Sequence, residues 1–235
     1  MLFRSEAKIV LGTALAARPS SAEVMMNFGN VLKDERRFDE AIAHFDQALA
    51  LAPQLAEAWS NRAAALTALG RPDEALESVT RALNLHSDDA EFWVNFGHAL
   101  CDLGQFQGAK NAFEHALSLR ANYVLALCNL GVVLVHLKEF ERAIEIYERA
   151  LECEPDSHLA KFGLSLVLLR RGDYARGWSL YESRWYMSDF VGRYPYRDRP
   201  GLWDGTIDLA GRRVDRKSTR LNSSHEWISR MPSSA

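Results

Sequence analysis

The chain has 235 residues, 48% of them hydrophobic and 25% charged, which is enough to bury a core in one or two domains. A formal charge of −3 and a pI near 6.2 provide no polybasic surface, so the electrostatic term that drives most nucleic-acid binding is missing, and no nucleic-acid partner is expected. The cysteines Cys101, Cys128 and Cys153 lie far apart and lack C-x-x-C spacing, as expected of reduced thiols in a cytoplasmic protein.

Taken in chain order, residues 1–5 stand apart from the rest of the chain. Leu2 to Ser5 back-translate into the reverse of a common sequencing-library adapter, so this end is read as translated adapter. Residues 6–21 carry Ala7, Leu11, Ala14 and Pro19 at the spacing of a second helix from an incomplete repeat. A signal peptide is the rival reading of this stretch, with Arg4 ahead of an apolar run, but Glu6 and Lys8 interrupt it.

From residue 22 to residue 157 the same pattern recurs four times at a spacing of 34 residues, starting at Ala22, Ala56, Ala90 and Val124. The eighth position holds Gly29, Ala63, Gly97 and Gly131, small residues where two helices must approach closely. The twentieth holds Ala41, Ala75, Ala109 and Ala143, and the twenty-seventh Ala48, Ala82, Ala116 and Ala150. Large residues fill the space between them: Trp59 and Trp93 at the fourth position, and Phe45, Val79, Phe113 and Tyr147 at the twenty-fourth. Pro53 and Pro155 at the thirty-second end the second helix of their units. The pattern predicts helical hairpins, for example Glu57 to Leu69 and Asp73 to Leu85 joined around Gly70. The run Leu125 to Leu137 is the most apolar in the chain, but Asn129 and His136 interrupt it, so no membrane span is expected.

This small-large pattern resembles that of the tetratricopeptide repeat (TPR) family at nearly every signature position from Ala22 to Ser157. The resemblance implies an all-α fold, an α-solenoid of stacked antiparallel hairpins whose first helices line a concave groove. Residues 158–186, turning at Gly172, read as a degenerate fifth unit. Residues 187–214 read as a linker and the start of a further domain. The segments GDYARGWSLYESRW from Gly172 and LWDGTIDLAGRRV from Leu202 resemble the junction between a TPR array and a glycosyltransferase-like domain in bacterial proteins. An ordinary capping repeat with a loop is the alternative. Residues 215–235 are Ser- and Arg-rich and back-translate into adapter sequence over Asp215 to His225 and Ser229 to Ala235, so they are expected to be disordered.

Function is expected in the groove. Its sixth position is Asn in four units, Asn27, Asn61, Asn95 and Asn129, and an amide can both donate to and accept from an extended peptide backbone. The series resembles the asparagine ladder of O-linked N-acetylglucosamine transferases, whereas the fifth unit departs from it with Gly163; Asn is also frequent in TPR hairpins with other ligands. Neighbouring groove positions hold Asn30, Lys33, Asp34, Thr67, His98, Cys101, Asp102, Val132 and His136. With Lys33 as the one Lys or Arg among them, they do not form a basic clamp for acidic C-terminal peptides. His98 and Asp102 stand at i, i+4, but a metal or acid-base site needs a third convergent group. The expectation is therefore a scaffold without catalytic residues, metal or cofactor, binding a protein or extended peptide. A stand-alone adaptor and a self-association module remain the alternatives to an arm of a glycosyltransferase-like parent.

Overall fold

A computed structural model of the protein describes residues 21–186, which fall in the first of two units into which the chain divides at Ser188. Helices α1 (Ala22–Asp34) and α2 (Phe38–Leu51) form the first hairpin, and α3 (Ala56–Ala68) and α4 (Pro72–Leu85) the second. The third pairs α5 (Ala90–Asp102) with α6 (Phe106–Leu119), and the fourth α7 (Val124–His136) with α8 (Phe140–Cys153). In the fifth, α9 (His158–Arg171) precedes a shorter α10 (Tyr174–Tyr181), which tightens into a 3₁₀ turn over Glu182–Tyr186. Each helix packs most extensively on its hairpin partner and next on the following hairpin, the nearest-neighbour pattern of an α-solenoid. No described helix is long and apolar enough to cross a membrane.

The turn inside every hairpin is built the same way. Its fifteenth-position residue has positive φ in all five units: Arg36 at 63°, Gly70 at 69°, Gly104 at 71°, Lys138 at 64° and Gly172 at 88°. The next amide donates back to the helix carbonyl five residues earlier, as from Arg71 N to Leu66 O at 3.0 Å and Glu139 N to Leu134 O at 2.8 Å. This is the Schellman closure, which satisfies carbonyls left over at the helix end. Glycine adopts that backbone freely, whereas Arg36 and Lys138 occupy it at a steric cost. Between hairpins, the indoles of Trp59 and Trp93 donate to Pro53 O at 2.8 Å and Ser87 O at 2.7 Å, fixing the loop that leads into the next unit. These tryptophans belong to the packing.

The hairpin crossing is tight. A Cβ added to Gly29 would lie 2.6 Å from the Phe45 ring, one on Gly97 2.5 Å from Phe113, and one on Gly131 2.5 Å from Tyr147. The second unit solves the same problem differently, with Ala63 as the small residue and Val79 as its large partner, both fully buried. One methyl gained on the first helix is offset by a ring lost from the second.

Two consequences can be measured by denaturant unfolding. Gly97→Leu should lower stability by about 1–3 kcal/mol through overpacking against Phe113. Val79→Phe should cost a similar amount alone, and adding Ala63→Gly should recover most of it; independent, additive effects would contradict the coupling of the two positions.

Candidate peptide-binding groove

One face of each first helix carries the second, sixth, ninth and thirteenth positions of its repeat, which the 3.6-residue turn places in a line. On α3 these are Glu57, Asn61, Ala64 and Ala68; on α5, Glu91, Asn95, His98 and Asp102; on α7, Leu125, Asn129, Val132 and His136. The first helices of neighbouring repeats are bridged by the asparagines, each reaching back to a different partner. Lys33 Nζ donates to Asn61 Oδ1 at 2.7 Å, Asn95 Nδ2 donates to Ser60 Oγ at 2.8 Å, and the Asn129 amide lies 2.7 Å from His98 Nε2. Asn27, in the first repeat, is exposed. The structure thus brings three of the four sequence-predicted amides into a connected series. The second polar atom of each has no partner among the described residues and is not buried, so it reaches the solvent.

The break at Gly163 has a steric cause. A Cβ there would lie 2.4 Å from the Tyr147 ring and 2.7 Å from its hydroxyl, so the ring packed against Gly131 also fills the sixth position of the next repeat. An asparagine cannot be placed beside it without moving that ring.

The other sequence-predicted residues lie in varied settings. Burial lowers the Lys33 ammonium below its usual range, while Asp34 and Glu91 act in the opposite sense. Asn30 is half-buried, and its Oδ1 has no hydrogen-bond partner among the described residues. Asp34 and Asp102 are exposed, Thr67 is half-buried, and His136 stacks flat on Phe106 at 4.4 Å. His98 packs edge-on to Phe113 at 5.7 Å, and burial holds its imidazole below the ordinary 6.5 despite the Asn129 amide and the Asp102 charge. Its Nε2 faces Asn129, and no hydrogen bond joins it to Asp102. The pair therefore forms a lateral contact between repeats. Burial pushes the Cys101 thiol up to about 11 and that of Cys128 to about 12, which keeps both protonated at neutral pH. No group of three or more His, Cys, Asp or Glu suited to a metal ion occurs among the described residues.

The second position of the repeat escaped the sequence reading. It holds Glu23, Glu57 and Glu91, all exposed, and then Leu125 and Leu159, also exposed. The signal was present in the repeat register, as a change of residue class at one column partway along the array.

Because the folded His98 value is below that of the unfolded chain, the native state resists protonation. Its contribution to stability is complete above pH 6.5 and is lost as the pH falls toward the folded value. Unfolding free energies measured from pH 7.5 down to pH 5 should therefore decline, and His98→Gln should flatten part of that decline. An unchanged slope in the variant would remove His98 as its source.

A family model described as tetratricopeptide repeat matches residues 20–88 and again 88–156, and a second model with the same description matches residues 139–189. No curated protein gives a significant match. Among solved structures, the crystal structure of MamA is 23% identical with a TM-score of 0.57, covering 71% of this chain and 97% of that one. YrrB, described as a TPR protein with an unusual peptide-binding site, is 18% identical with a TM-score of 0.55, covering 76% of this chain and 92% of that one. A thermophilic TPR protein of Thermus thermophilus is 21% identical with a TM-score of 0.66, covering 74% of this chain and 97% of that one. At these identities the likeness is one of fold, while the family match spans the repeats whose hairpins, turns and small-on-large crossings are described above: the chain belongs to the tetratricopeptide repeat family.

Proposed function

We propose that this protein is a scaffold that binds an extended segment of another protein along the face carrying Asn61, Asn95 and Asn129. The observation that carries this reading is the bridged amide series, in which each asparagine is held by the preceding repeat and keeps one polar atom turned to solvent. An extended backbone presents an amide and a carbonyl at each residue, and side chains fixed in advance can pair with them at a lower entropic cost than mobile ones. YrrB, a protein of the same fold, is described as having a peptide-binding site, which supports the analogy without identifying a ligand.

The resemblance of residues 172–214 to a TPR–glycosyltransferase junction extends this reading to a parent enzyme whose groove presents acceptors. Residues 187–214 lie outside the described residues, so that extension rests on sequence alone. Sequencing the source gene beyond the Val214 codon tests it. A Gly-rich α/β domain would support the enzyme, and a stop codon or further hairpins would remove it.

The groove itself is tested with peptides selected from a random display library on the purified protein. Asn61→Ala combined with Asn95→Ala should weaken the selected peptides at least tenfold while the far-ultraviolet circular dichroism stays unchanged. Equal affinity in the double variant would dismiss the amide series as the binding element.

A further inference from the structure

Leu125, Val132, Leu159 and Leu166 are 41%, 46%, 36% and 47% exposed, although α7 and α9 both bury extensive apolar surface elsewhere. They share a setting: Leu125 and Val132 flank Asn129 on the groove face of α7, and Leu159 and Leu166 flank Gly163 at the same positions of α9. Exposed leucines scattered over a surface need no explanation, but four apolar residues recur at equivalent positions of adjacent helices and give this face an apolar floor on either side of Asn129 and Gly163. On the preceding helices the same second position holds Glu57 and Glu91, both exposed and without an ion pair among the described residues. Asp102 adds a third carboxylate at the end of that face on α5. Lys33 is hydrogen-bonded to the neutral Asn61 amide and lies within electrostatic reach of Glu91. At the other end, His136 and Arg170 lie against Phe106 and Phe140.

Resting on the peptide-binding reading above, we infer that the groove selects an extended peptide of one polarity, with basic side chains over α3 and α5 and apolar side chains over α7 and α9. Charge complementarity determines the first half, since on this face the carboxylates of Glu57, Glu91 and Asp102 outnumber the ammonium of Lys33, which favours a basic ligand and disfavours an acidic one. Burial of the four apolar side chains determines the second. The spacing follows from geometry. Neighbouring first helices stand about 10 Å apart, and an extended ligand in the polyproline II conformation rises about 3.1 Å per residue and returns to the same face every third residue, so each repeat takes roughly three ligand residues. The ligand therefore carries two basic residues three apart and, three further on, two apolar residues three apart.

The probe is a fluorescent peptide of twelve residues with two lysines and two leucines at that spacing in a serine background, synthesised in both chain directions. One direction should bind at least tenfold tighter than a permuted peptide of the same composition and than a version with glutamates in place of the lysines. Glu57→Lys with Glu91→Lys should lose the lysine peptide and gain the glutamate peptide, a gain that a misfolded protein would not show. Leu125→Ser with Leu159→Ser should weaken both. Library-selected peptides that depend on Asn61 and Asn95 but lack this pattern would overturn the polarity while leaving the groove as the binding element. Failure of every peptide, patterned or selected, would overturn both readings. A concentration-dependent mass in sedimentation, abolished by the two serine substitutions and unaffected by the patterned peptide, would assign the apolar floor to a second copy of this chain and overturn the inference.

Discussion

The structure depends on one recurring contact, a large side chain on the second helix of each hairpin pressed against a residue with little or no side chain on the first. Phe45, Phe113 and Tyr147 lie on Gly29, Gly97 and Gly131, so close that a methyl group on any of those glycines would overlap the ring. Close packing of this kind sets the distance between the two helices of a hairpin. The distance in turn determines where the Schellman turn closes and where the next first helix begins. Repetition of the contact every 34 residues keeps successive first helices in register, so that an asparagine on one can reach a side chain on the one before.

Much of this was legible in the sequence because packing positions tolerate few residue types. Gly29, Gly97 and Gly131 facing aromatics, the alanine columns, and Pro53 after α2 all have a single physical reading, and the helices begin and end within a residue or two of the expected places. The turn was only partly legible. Gly70, Gly104 and Gly172 announce positive φ, whereas Arg36 and Lys138 take the same conformation through surrounding structure and not through their own preference. The shortening of α10 into a 3₁₀ turn also left no plain mark in the sequence, since Tyr174 to Tyr186 has no proline or turn glycine to stop the helix.

The groove was less legible, for a different reason. A repeated asparagine identifies the position but not the bond, because the partner is supplied by a column that varies: Lys33 from the twelfth position, Ser60 from the fifth, His98 from the ninth. The amide atom left unbonded therefore differs from repeat to repeat, the nitrogen on Asn61 and the oxygen on Asn95. The loss of the series at Gly163 is again a packing effect, since the Tyr147 ring of the fourth repeat crowds that position of the fifth.

The hairpin crossing and the exposed face of the first helices thus occupy different columns of the same repeat, and this separation explains how a solenoid can keep its fold while that face changes character along its length. The second position is not part of the hairpin crossing, so glutamate at 57 and 91 can give way to leucine at 125 and 159 without disturbing it. A groove whose chemistry were uniform would hold an extended chain in either direction and in several registers, because backbone hydrogen bonding to amides is nearly independent of sequence. A groove acidic at one end and apolar at the other removes that degeneracy, since shifting or reversing the ligand sets lysine against leucine and strands buried charge. Discrimination of this kind arises less from any single strong contact than from the penalty attached to every wrong alignment, and that penalty grows with each repeat the ligand spans.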